Sequence, residues 1–269
     1  MDRWVEHYWE LYGRENTPTN TAHKAIETLP SMPELDEPPR ELELSKAIDC
    51  LPTGKAPGLD SIPPEFIKCT KSTLVGPLHK LFCQCWEGGE VPQEMRDCNI
   101  VMLYKNKGDR SDCNNYRGIS LLNIVGKVFA RVVLNRLQKL VKRVYPESQC
   151  GLRAEWSTAD MVFSLQQLQE KCREQRQPLY IAFIDLTKAF DLVSRDGLFC
   201  ILSKIGCPPN LLTIVQLLYR DMKGVAQFDG ASSKPFSIHI GVKQGCVLAP
   251  TQNSNPRHSA SLVPARTSG

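Results

Sequence analysis

The chain has 269 residues, 42% of them hydrophobic and 23% charged, with a formal net charge of +4. That balance excludes a disordered or collagen-like chain and gives room for one large or two modest globular domains. Eleven cysteines form no C-x-x-C pair, no run of about 18 apolar residues occurs, and the N-terminus lacks a signal peptide's apolar core; this reading implies a reduced protein without a disulfide framework, zinc site or membrane span, located in the cytoplasm or nucleus.

Charge is unevenly distributed. Residues 1–50 carry 5 Lys/Arg against 11 Asp/Glu, and residues 101–180 carry 14 against 7. A basic middle behind an acidic head fits a polyanion partner, and equally an ordinary solvated surface. In chain order, residues 1–13 predict an amphipathic helix through Trp4, Val5, Tyr8, Trp9, Leu11 and Tyr12. Residues 14–40, rich in Pro, Thr and Glu, read as a linker. A short helical piece spans 45–50. A Gly- and Pro-punctuated loop covers 51–61, a helix starts at Pro63-Pro64, and another runs over about 73–86 to Gly88-Gly89.

Asn99 to Tyr104 has a strand's composition and leads into a polar loop over 105–118. Residues 120–144 keep helical spacing through Leu121, Val125, Val128, Val132, Leu137, Leu140 and Val144. Ser157 and Asp160 form a capping-box pair that opens the next helix. Leu179 to Asp185 reads as a strand. Helices follow over about 194–205 and 210–221, then a hairpin of Val225–Phe228 and Phe236–Ile240 around Asp229-Gly230. Residues 252–269 have little apolar content and are expected to be disordered.

The chemistry concentrates in two runs. In Ile181-Ala-Phe-Ile-Asp-Leu-Thr-Lys-Ala-Phe-Asp191, an apolar stretch delivers Asp185 to a strand end, where a carboxylate can ligate Mg²⁺ or cap a following helix. Gly241-Val-Lys-Gln-Gly-Cys-Val-Leu-Ala-Pro250 is the second. Lys105, Lys107, Arg110 and Arg117 cluster around one turn, which suits a triphosphate or plain solvation. Gly54-Lys55 is not a P-loop, because Asp49 and Ala56 stand where Gly and Ser or Thr are required. The five histidines have no metal-ligand spacing, and Cys246 has no neighbouring His to make it a nucleophile.

Six ordered runs, Gly54–Pro63, Asn114–Leu122, Ala130–Leu137, Ser148–Arg153, Phe183–Asp191 and Gly241–Pro250, resemble the reverse transcriptase domain of LINE-type, non-LTR retrotransposons over about residues 45–251. The resemblance implies an α+β right-hand polymerase fold. Residues 1–44 would form an N-terminal helix and acidic linker, 45–178 the fingers, 179–251 a partial palm and 252–269 a disordered tail, with the thumb absent. It implies template-directed nucleotidyl transfer to a DNA primer on an RNA template, with deoxynucleoside triphosphates as substrate and Mg²⁺ or Mn²⁺ as cofactor. Asp185 then matches the first metal carboxylate and Leu186 supplies a carbonyl ligand. Lys105 and Arg117 match the cations on the triphosphate, and Phe190 the aromatic that excludes a 2′-hydroxyl. Gln244 and Gly245 match the motif that packs on the nascent base pair.

The sequence also departs from that family. No Tyr-Ala-Asp-Asp run follows Thr251, Leu152 replaces a common Phe, and Trp156 stands where a small or basic residue is usual. The expectation is a fragment cut short before the Asp-Asp motif, with weak metal binding and no polymerase activity. The competing expectation is a non-catalytic nucleic-acid-binding remnant that uses the basic middle segment.

Overall fold

The computed structural model describes residues 1–13, 26–145, 157–186 and 188–243. Helix α1 (Asp2–Tyr12) buries Trp4, Tyr8, Leu11 and Tyr12 of the stripe its spacing predicts. Helices α2 (Glu41–Asp49), α3 (Pro64–Cys69), α4 (Lys71–Gly88) and α5 (Gln93–Arg96) follow. α4 stops where Gly89 turns left-handed at φ 64°, a conformation open to glycine at little cost. The long apolar pattern becomes α6 (Ile124–Val141), capped by Asn123, whose side chain accepts from the Gly126 N–H. The Gly- and Pro-rich loop before α3 seats against the same helix start. Asp60 Oδ2 accepts from Ile124 N at 2.9 Å, and Lys127 Nζ donates to the Ala56 carbonyl at 3.2 Å.

Strand β1 (Cys98–Tyr104) pairs antiparallel with β2 (Tyr116–Leu121), from Asn99 opposite Leu121 to Tyr104 opposite Tyr116. Its other edge pairs in parallel with β3 (Lys223–Phe228). The chain reaches β3 through α7 (Thr158–Glu174), α8 (Arg195–Lys204) and α9 (Pro209–Leu217). The predicted hairpin forms in two steps. β3 turns through Asp229 (φ 50°) and Gly230 (φ 76°) into β4 (Ala231–Ser232), and β5 (Phe236–Ser237) then pairs with the start of β3. Helices packed with a mixed sheet make this an α+β fold. None of the helices is long and apolar enough to cross a membrane among the described residues.

Three expectations change. β2 lies where a loop running into a helix was expected. The strand expected over 179–185 is extended chain without ladder partners among the described residues. A strand needs neighbours for its N–H and C=O groups. Both edges of β1 are already used, and β4 and β5 occupy the outer edge of β3. Tyr180, Phe183 and Ile184 consequently stand more than 80% exposed, at 86%, 86% and 84%. α7, just before them, forms its expected Ser157–Asp160 capping box yet buries none of its residues.

Third, residues 26–40 of the expected linker form a pinned strap. Leu29 N and Met32 N donate to the Lys204 and Gly206 carbonyls at 2.8 and 3.0 Å, tying the strap to the end of α8. Trp86 Nε1 donates to the Asp36 carbonyl at 2.8 Å, and Asp36 Oδ1 accepts from Leu211 N at the start of α9. On α6, the buried Arg136 guanidinium donates to the Leu35, Glu37 and Pro38 carbonyls, pairs with Glu43 at 2.7 Å and stacks 4.7 Å over Trp86. Three irregular carbonyls thus find donors from one side chain. The 252–269 tail lies outside the described residues.

Replacing Arg136 with Ala leaves those carbonyls without its donors and removes the cation paired with the part-buried Glu43. We expect a loss of about 2–4 kcal/mol in the unfolding free energy. Arg136→Lys should recover little of it, because an ammonium lacks the planar fork. Urea denaturation of the two variants beside the wild type checks both outcomes.

Candidate active site

The site starts where β1 ends. Lys105 follows the last strand residue, its backbone N–H donates to the Asn115 carbonyl at 2.9 Å, and its Nζ donates to the Asn114 carbonyl at 2.7 Å. The β1–β2 loop is closed by its own aromatics. Tyr104 donates to the Gly108 carbonyl at 2.6 Å, Tyr116 donates to the Arg110 carbonyl at 3.0 Å, and Arg110 lies 5.0 Å over the Tyr104 ring. Arg117 projects from β2 opposite Leu103, exposed to solvent.

The second part is the turn at 188–193. Its fold is set by the chain that approaches from β5. Gly241 N donates to the Val193 carbonyl at 2.9 Å and Val242 N to the Phe190 carbonyl at 2.8 Å. At Gly241 φ is +79°, and an added Cβ would lie 2.5 Å from the Asp191 carbonyl oxygen. Only glycine allows this approach. The phenylalanine turn and the start of the Lys-Gln-Gly run therefore meet, although 50 residues separate Asp191 from Gly241 in sequence.

Two cations hold that meeting point from behind. Arg195 gathers four carbonyls: Nε reaches Gly241 at 3.0 Å, Nη1 reaches Tyr219 at 2.9 Å and Ile238 at 3.0 Å, and Nη2 reaches Ile240 at 3.3 Å. Lys243 is buried and donates to the Arg96 and Leu218 carbonyls at 2.7 and 3.1 Å. Both cations lie over the Tyr219 ring, at 5.1 and 5.5 Å.

Asp191 is the acidic member of the site. Tyr12 in α1 donates its hydroxyl proton to Asp191 Oδ1 at 3.0 Å. Burial raises the Asp191 carboxyl above the ordinary value of 3.8, while the Tyr12 hydrogen bond and the Lys188 and Lys105 charges act in the opposite direction. Burial and the Asp191 charge in turn push the Tyr12 phenol well up.

The residues expected from sequence fare unequally. Lys105 and Phe190 border this junction, and the Lys105 charge acts on Asp191. Asp185 and Leu186 stand exposed on the unpaired segment. Gln244 and Gly245 lie outside the described residues, directly after the clamped Lys243. Among the described residues, no three or more His, Cys, Asp and Glu side chains gather into a group that could hold an ion. Residues 243–269 contain no Asp or Glu at all. Tyr12, Asp191, Arg195 and Lys243 were not among the expected site residues. Asp191 was detectable as the acid adjoining Phe190, whereas Tyr12 carries no local signal of its partner.

The chain belongs to the reverse transcriptase (RNA-dependent DNA polymerase) family, whose model matches residues 104–254. It is 30% identical, over 78% of its length and 23% of the relative's, to the RNA-directed DNA polymerase from mobile element jockey of Drosophila melanogaster. It is 27% identical to the probable RNA-directed DNA polymerase from transposon BS of the same fly, over 80% of this chain and 24% of that protein. It is 26% identical to the transposon TX1 uncharacterized 149 kDa protein of Xenopus laevis, over 92% of this chain and 19% of that one. These are proteins of LINE-like, non-LTR elements, and the chain spans about a fifth to a quarter of their length.

The raised Asp191 carboxyl has a measurable consequence. A folded-state value above the unfolded one means that the folded chain holds the proton longer, so this group's contribution to stability falls as pH rises through the interval above 3.8. Asp191→Asn removes the titration. Unfolding free energies measured from pH 4 upward should converge less steeply with pH in that variant than in the wild type; parallel slopes would contradict the assignment.

Proposed function

We propose that this chain is the nucleotide-handling part of an RNA-directed DNA polymerase that copies an RNA template onto a DNA primer. Residues 45–178 act as fingers and 179–251 as part of the palm. Lys105 and Arg117 hold the triphosphate of an incoming deoxynucleotide. Phe190 sits under its sugar and leaves no room for a 2′-hydroxyl, and Gln244 and Gly245 pack against the new base pair. One observation carries the reading: the hydrogen bonds of Gly241 and Val242 to the 190–193 turn, which bring the sugar-gating aromatic's segment to the start of the Gln-Gly motif. The Lys105 charge felt at Asp191 adds the triphosphate side of the same site.

Asp185, with the Leu186 carbonyl, is the metal-binding position in this reading. Divalent ions in such polymerases supply Lewis-acid stabilisation of the transferring phosphate, and a pair of ions needs more than one carboxylate. With one exposed Asp at that position and no acid in residues 243–269, this chain by itself does not complete the centre. The second reading is a segment that binds nucleic acid without extending it. The excess of Lys/Arg over residues 101–180 supports that binding role.

Primer extension on an RNA template with Mg²⁺ or Mn²⁺ should give no template-dependent product with this chain alone; incorporation would overturn the inactivity. Filter binding of an RNA/DNA duplex should weaken steeply between about 50 and 200 mM salt, as phosphate contacts require. Absence of binding at the lower salt would remove the nucleic-acid reading altogether.

A further inference from the structure

We infer that the N-terminal helix α1 is a working part of the sugar gate, with the Tyr12 hydroxyl acting through Asp191 to fix the turn that carries Phe190. The inference rests on the reading of Phe190 as the residue that sorts deoxyribo- from ribonucleotides, and deepens it. Tyr12 and Asp191 are positioning residues, since neither is asked to touch the nucleotide.

The geometry is built from α1 inward. Tyr8 stacks on Phe236 of β5 with ring centroids 5.6 Å apart and planes 7° from parallel. Tyr12 stacks on Tyr8 in turn, at 5.5 Å and 14°. The Tyr8 hydroxyl donates to Met102 Sδ at 3.1 Å, which fastens the middle ring to β1. Trp4 extends the anchorage, meeting Tyr116 edge-on at 5.2 Å and Phe228 at 5.5 Å. The column holds the Tyr12 phenol, itself buried, so that its hydroxyl can address one point only.

That point is Asp191, the neighbour of Phe190, reached at 3.0 Å across 179 positions of sequence. Asp191 is then held on two sides. Its carboxylate accepts a hydrogen bond from the Tyr12 hydroxyl, and its carbonyl abuts the bare Cα of Gly241. The carbonyls of Phe190 and Val193 are occupied by Val242 and Gly241. Discrimination by a ring under a sugar depends on its position to within about 0.5 Å, so whatever fixes this turn sets the selectivity. Lys105 and Lys188 lie close enough to influence the same carboxylate.

The test compares dGTP with GTP, titrated calorimetrically into the whole chain and into Tyr12→Phe, Asp191→Asn and Phe190→Ala. The wild type should prefer dGTP, and Phe190→Ala should lose the preference. Tyr12→Phe should lower the preference about three- to tenfold. Asp191→Asn keeps an acceptor for the phenol and should retain most of it. A wild-type preference that Phe190→Ala abolishes and Tyr12→Phe leaves intact would overturn the inference alone. Loss of preference in no variant, or none in the wild type, would sink the sugar-gate reading and the inference with it. A second measurement needs no nucleotide: amide exchange of a peptide covering residues 188–193 should be about tenfold faster in Tyr12→Phe, and an unchanged rate would refute the positioning role.

Discussion

Irregular backbone inside a protein must find donors for its carbonyls, and this molecule meets that constraint with two arginines. A carbonyl left bare in the interior costs as much as a lost hydrogen bond, and a guanidinium offers five N–H groups in a fixed plane. Arg136 supplies the strap around residues 35–38, and Arg195 supplies the approach at 238–241. Apart from the single 3-10 turn at Pro33–Leu35, neither segment is helix or ladder, yet both are fixed. The strap binds α4 and α6 to the ends of α8 and α9, so the helical part of the molecule and the part that carries the site turn share one frame.

The functional geometry follows from that frame. With its carbonyls gathered by Arg195, the chain after β5 arrives at the 190–193 turn from a fixed direction. Glycine at 241 removes the side chain that would otherwise strike Asp191. Two amides then reach two carbonyls, and the aromatic turn and the chain at Gly241 and Val242 become neighbours. α1 closes the arrangement from the sheet side through its stacked rings. Groups from distant sequence are fixed against one another here by backbone bonds rather than by side-chain ion pairs.

Much of this was legible from residue order, and the exceptions have physical causes. α6 and α8 announce themselves by period and stop signals, and the Ser157–Asp160 box forms as written, because each is decided within a turn or two of helix. The Asp229-Gly230 turn is legible for the same reason. β2 was missed because its Tyr-Arg-Gly-Ile-Ser-Leu run has no strong alternation and exists by pairing with β1. The strap was misread because Pro-rich chain looks loose until a distant arginine claims its carbonyls. Leu179–Asp185 has a strand's composition but pairs with no ladder among the described residues, so the composition alone does not make a strand. Asp191, six residues beyond Asp185, is held by the Tyr12 hydroxyl, a pairing across the chain that residue order does not announce.

Native-state hydrogen exchange on the wild-type chain tests the central claim most directly. The account predicts that the Gly241 and Val242 amides are protected to a degree comparable with the amides of β1, while those of residues 179–186 exchange at the rate of open chain. Prompt exchange at 241 and 242 would show that the two motifs do not meet through these bonds, and the site described here would not exist in solution.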